Sequence, residues 1–168
     1  MPEFHQDDYD VEIERAEVAW YNKTFAKDVK FGYVHYNRTQ RVLNGSIHIL
    51  EDVSTKLTLV VQFYKFASNE YRFFPITVGA NVCEEYEKNN FKIRDLLSKT
   101  SNIKPCSLKK GLYYIRNLVM NDFSHFPPHM PRGRYKLAIN IYHNEIFVIE
   151  GHGYVAVVDK PLKWNKKV

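Results

Sequence analysis

The sequence predicts an all-β sandwich of about eight short antiparallel strands, and three observations carry that prediction. Apolar residues alternate with period two through most of the chain. Clusters of turn-forming residues separate the alternating stretches, and only one stretch, near residues 80–100, follows helical spacing. A length of 168 residues with 45% hydrophobic content suits one core, so residues 1–168 are expected to form a single domain.

The first stretch, DVEIERAEVAW, places Val11 and Ile13 on one register and Ala16, Val18 and Trp20 on the other. That change predicts a bulge near Arg15. DVKFGYVHY aligns Val29, Phe31, Tyr33 and His35, and a further strand is expected from about Gln40 to Leu50, with turns at Lys27-Asp28 and Asn37-Arg38. KLTLVVQFYKF is the most hydrophobic strand, with Leu57, Leu59, Val61 and Phe63 on one face. Ala67-Ser68-Asn69-Glu70 reads as a hairpin turn into YRFFPITV, where Pro75 predicts an edge position or a break. Strands follow at LYYIRNLVM, RYKLAINIY and EIFVIEGHGYVAVV.

Between them, Val82, Glu85, Tyr86 and Asn89, then Phe91, Leu96 and Leu97, fit one or two short helices broken at Asn89-Asn90. These are expected to cover an open edge or end of the sheets. The proline-rich SHFPPHMPRG stands too close to both flanking strands to mark a domain boundary, and Gly133 lets the chain turn before Tyr135 starts the next alternation. The glycine pair in GHGY reads as a bulge or close packing inside a strand.

Net charge is +5, from 24 basic and 19 acidic residues, a small excess spread along the chain. Its only concentration is the tail KPLKWNKKV, read as solvated. Aromatic and basic residues mix in YKF, YRFF and RYK, but no dense basic patch or RNP-like motif accompanies them, so no nucleic-acid partner is expected. No apolar run approaches the roughly 20 residues of a bilayer-spanning helix. Sequons at Asn22, Asn37 and Asn44 favour an exposed, N-glycosylated amino-terminal third and a secreted chain, with the signal peptide absent from this sequence.

Cys83 and Cys106 bracket the helical stretch. In an oxidising compartment they would form the one available disulfide; as separate buried thiols they would be inert. No Cys or His lies at metal-ligand spacing from either, and prolines between His125 and His129 forbid the helix that would align those two, so no metal is expected. Neither GxSxG nor HExxH occurs, and no glycine-rich phosphate loop follows a strand. No cofactor is expected, and the seven scattered His permit but do not suggest a nucleophilic triad brought together by the fold. The surplus of Leu, Ile, Val, Phe and Tyr on the inward faces either fills a core or lines a space for an apolar ligand, and alternation alone leaves both open.

The run FYKFASNEYRFFPITVGANVCEEY, then TSNIKPCSLKKGLYYIRN, then PRGRYKLAINIY, resembles an insect group of secreted proteins related to the ganglioside-activator protein and to the ML lipid-recognition domains. The resemblance rests on Tyr64-Lys65, YRFFP at 71–75, Cys83, Ser101-Asn102 before Cys106, and Pro131, Gly133 and Tyr135. It implies an immunoglobulin-like sandwich of two antiparallel sheets, splayed around a hydrophobic cavity with helical or loop segments at its mouth. It further implies non-enzymatic binding and transport or presentation of a lipid, sterol, glycolipid or hydrophobic semiochemical, with a receptor or transient membrane contact as further partners. Unlike the ganglioside-activator protein and the sterol-carrying relatives, this chain can form at most one disulfide.

On that reading the cavity wall comprises Leu59, Val61, Phe63, Phe74, Ile115, Leu137, Ile139, Ile141 and Phe147. Arg132, Arg134 and Lys136, at the head of a strand, would meet an anionic head group. The competing expectation is a secreted interaction module with a filled core, acting in immune or chemosensory recognition.

Overall fold

A computed structural model describes residues 9–123 and 126–160. His5, His125 and the tail lysines from Lys163 onward lie outside the described residues. Eight strands are present among those described: β1 (Tyr9–Tyr21), β2 (Ala26–His35), β3 (Arg41–Ile49), β4 (Leu57–Ala67), β5 (Glu70–Asn81), β6 (Gly111–Leu118), β7 (Gly133–His143) and β8 (Ile146–Asp159). They form a five-stranded sheet, ordered β1-β8-β7-β4-β5, and a three-stranded sheet, ordered β2-β3-β6. Every neighbouring pair is antiparallel, and the molecule is a β-sandwich.

Local chemistry explains most element ends. Register shifts in β1 between Ile13 and Arg15, and again between Val18 and Trp20, let Val11, Ile13, Ala16 and Val18 share one face despite their different parity. Ser68 and Asn69 both take positive φ, 52° and 64°, the geometry of a two-residue hairpin. Asn144 and Glu145 do the same, at 50° and 69°, between β7 and β8. β5 is an edge strand, as Pro75 requires, and its ladder with β4 is interrupted between Gln62 and Tyr64.

The turn expected at Lys27-Asp28 is instead a bulge within β2, where Asp28 has φ 52° and the register with β3 shifts. The chain reverses earlier. Asn22 Oδ1 accepts from the Thr24 amide at 2.9 Å, and the Ala26 amide bonds back to the Asn22 carbonyl at 3.1 Å. Asn37 works similarly between β2 and β3, accepting from the Thr39 and Gln40 amides.

The helical insert joins the outer edge of one sheet to the outer edge of the other. α1 (Val82–Lys88) starts at Asn81, whose side chain accepts from the Glu84 amide, and stops at Asn89 in the left-handed region. After a single 3-10 turn, α2 (Ile93–Thr100) buries Leu97 and packs against β6. Asn89 Oδ1 also accepts from the Arg94 amide, so one side chain serves the break and the restart. Cys83 and Cys106 are joined in a disulfide that ties the base of α1 to the segment leading into β6.

Buried side chains gather in two clusters. One contains Tyr9, Phe63, Met130, Tyr135, Leu137, Val155 and Val157. The other contains Phe25, Ala26, Ile49, Val53, Leu57, Leu108 and Val148. They occupy the two ends of the sandwich.

Candidate ligand cavity between the sheets

Strand register identifies the inner face. Directly paired residues in antiparallel strands point to the same side, so the buried Phe63 and Leu137 extend across the large sheet as the row Phe63, Leu137, Gly153, Ala16. The next row is Val61, Ile139, Gly151, Val18. On the small sheet, Phe31, Gly45 and Ile115 form the corresponding row.

These middle rows differ from the two ends. Val61, Ile139, Val18, Ala16 and Ile115 are only partly buried, and Phe31 is 37% exposed. Three glycines thin the rows further. A Cβ placed on Gly153 would meet nothing within 4 Å, so the backbone there faces open space rather than a packed neighbour. The expectation of close packing at GHGY therefore does not hold at Gly153. Gly45 is the opposite case: a Cβ would come within 2.8 Å of the Phe31 ring, so glycine lets that ring lie across β3.

Eight of the nine expected wall residues stand on inner surfaces. Phe63 and Leu137 are buried in the first cluster with Val61, Phe74 and Ile139 packed around them. Ile141 packs on the second cluster, Leu59 pairs with it, and Ile115 lies on the small-sheet row with Gly45 and Phe31. Phe147 lies on the other side of the sheet. A register shift between Ile141 and Tyr142 pairs Phe147 with Tyr142, and its ring stacks on exposed Trp20 at 4.8 Å. Alternation counted back from Val155 misses that shift.

The three expected head-group cations do not converge. Arg132 binds Asp159 at 2.7 Å, Arg134 reaches Glu14 at 3.6 Å, and the Lys136 ammonium lies over the Tyr64 ring at 4.8 Å. Because Tyr135 and Leu137 point inward, Arg134 and Lys136 point outward. Lys65 is a cation on the inner register, paired with Tyr135 and 5.8 Å from its ring centroid, and Arg72 is its β5 partner. Burial pushes the Tyr135 phenol up to about 12, partly opposed by Arg132, and its hydroxyl donates to the Pro131 carbonyl at 2.7 Å.

The segment between β6 and β7 closes the first end. Met130 is buried there, the Tyr9 hydroxyl donates to the Pro127 carbonyl, and Phe126 stands between Phe63 and Phe91 at 6.1 and 6.3 Å. A cleft of about 400 Å³ opens beside this segment, with Val11, Ile13, Tyr33, Met120 and Phe123 in its lining together with Asp10 and Glu12. Val11 and Ile13 pack on the first cluster, so this cleft reaches the inner face.

Of the remaining sequence features, Asn37 is exposed in its turn, whereas Asn44 lies within β3 with Oδ1 accepting from the Asn117 amide at 2.9 Å. His143 is buried and accepts from the Ser54 amide at 3.0 Å, a structural arrangement. Gly45, Gly151, Gly153, Phe31 and Lys65 were not among the expected site residues. Two glycines spaced by two on the inward register of β8 were the available signal, since each removes a side chain from the same wall.

Residues 58–137 match a family described as a protein of unknown function, DUF1091. The match runs from β4 through β5, the helical insert and β6 into β7, just under half of the chain. No curated protein matches the chain closely enough to count as a relative.

Proposed function

We propose that this protein binds an apolar small molecule, or the hydrocarbon part of a lipid, between its two sheets and carries or presents it without catalysing a reaction. The observation that carries this reading is the contrast along the sandwich: both ends are buried, while the middle rows around Gly151 and Gly153 keep apolar side chains accessible with no Cβ between them. An interior left unfilled forfeits packing energy, and a ligand would recover it. Each methylene buried contributes about 0.8 kcal/mol, so a chain of a dozen methylenes offers roughly 10 kcal/mol against the cost of association.

The wall on this reading is Val18, Leu59, Val61, Ile115, Leu137 and Ile139, with Phe31 and Phe63 as aromatic flanks. The resemblance of the β4–β7 stretch to the ML lipid-recognition domains points to the same ligand class. It also favours a secreted protein, consistent with the Cys83–Cys106 disulfide, since such bonds persist in oxidising compartments. The test is native mass spectrometry of protein purified without denaturation, followed by titration with fluorescent fatty-acid and sterol probes. The expected result is a co-purified hydrophobic compound displaced by the probes. A folded protein that releases no such compound and binds neither probe overturns the reading.

A further inference from the structure

A second cleft, of about 520 Å³, lies outside the sandwich where the carboxyl end of α2 meets the outward face of β6. Its lining is Ser98, Lys99, Thr100, Ser101, Tyr114, Arg116 and Asn117. That volume falls within the range of small-molecule sites, and two full positive charges line it with no carboxylate among the lining residues. Among the described residues, neither Lys99 nor Arg116 has an acidic partner. The Arg116 guanidinium is 4.5 Å above the Tyr114 ring centroid, which restrains it.

The hydroxyls add a second requirement. Ser98 Oγ donates to the Asp95 carbonyl and Thr100 Oγ1 to the Leu96 carbonyl, each at 2.8 Å. With its single proton committed, each hydroxyl can offer a ligand only acceptor lone pairs. Ser101 is structural: it donates to the Tyr114 carbonyl at 2.5 Å and accepts from the Ile103 amide at 2.9 Å, fixing the helix end to the strand. The complement of this lining is a molecule that carries an oxyanion for Lys99 and Arg116 and hydroxyl donors for Ser98 and Thr100. The carboxyl end of α2 opposes an anion with roughly half a negative charge, which the two cations outweigh.

We infer that this cleft is a binding site for an acidic saccharide, its sulfate or carboxylate on Lys99 and Arg116 and its hydroxyls on Ser98 and Thr100. This site is separate from the space between the sheets and does not depend on it. The test is calorimetric titration with a heparin-derived hexasaccharide and with neutral maltohexaose, using the wild type, K99Q/R116Q, and K27Q/K30Q. Lys27 and Lys30 are exposed on β2, at the opposite edge of the same sheet, so the control removes equal charge elsewhere.

The expected result is binding of the sulfated sugar alone, weakened roughly tenfold or more in K99Q/R116Q and changed by less than about threefold in K27Q/K30Q. All four substituted side chains are exposed, so folding is not at stake. A second arm, vesicles bearing 3-sulfated galactosyl lipid, separates a saccharide carried as a lipid head group from a free one; the same dependence on Lys99 and Arg116 in either arm supports the site. Equal losses in the two variants would reduce the attraction to net charge and overturn the inference. So would equal affinity for maltohexaose, or no binding of either sulfated probe at millimolar concentration.

Discussion

Tyr135 Oη reaches back four residues to the carbonyl of Pro131, at 2.7 Å, while its ring is fully buried against Phe74. The bond fixes the end of the proline-rich segment to the first turn-out of β7. Its buried phenol titrates near 12, whereas an unfolded tyrosine titrates near 10. The neutral form is the one the fold prefers, so this contribution is complete below about pH 10 and is lost as pH rises through about 12. Thermal melts of wild type and Y135F between pH 8 and 12 are expected to converge at the alkaline end. At neutral pH, Y135F should be less stable by about 1 kcal/mol. Parallel pH profiles would contradict this account.

Gln62 answers the interruption made by Pro75. Its Nε2 donates to the carbonyls of Phe74 and Ile76, at 2.8 and 3.1 Å, where the ladder between β4 and β5 lapses. Q62A is expected to cost about 1–2 kcal/mol by urea unfolding and to speed proteolysis within β5. Unchanged protection of β5 in hydrogen exchange would show that the amide is dispensable.

Reducing the Cys83–Cys106 bond frees the base of the helical insert. For a loop of this size the chain-entropy model gives about 3 kcal/mol, so C83S/C106S should lower the urea midpoint without changing the sheets. Far-ultraviolet circular dichroism and a denaturant titration check both parts.

Gly153 separates an open interior from a filled one. In a packed core, adding a Leu side chain costs typically 1–3 kcal/mol; facing open space it should cost less than about 1 kcal/mol. G153L is expected to keep its stability and to lose probe binding by at least tenfold. Strong destabilisation would indicate that the interior is solid.

Much of the strand order along the chain was legible, because each reading had a local cause. The parity change near Arg15, the edge position of Pro75, the hairpin at Ser68-Asn69 and the helical break at Asn89-Asn90 all follow from residues within a few positions of the feature. The face of Phe147 was not legible, since it turns on a register shift set by the partner strand rather than by its own sequence. Asp28 misled for a related reason: one residue at positive φ serves a turn or a bulge equally well, and the choice depends on where β3 pairs. The directions of Arg134 and Lys136 could have been deduced, because the inward placement of Leu137 already excluded them from the same wall.

The insert is held at its base and at its middle by contacts of very different kind. Near Cys83 it is covalent; near Phe91 it rests on an edge-to-face ring contact with Phe126, which in turn touches Phe63 on the inner face. Between α1 and α2, Phe91 and Lys92 both occupy left-handed backbone, at φ 57° and 55°, a strain of roughly 1 kcal/mol each. Phe91, Phe126 and Phe63 form one aromatic column that joins the insert to the inner face.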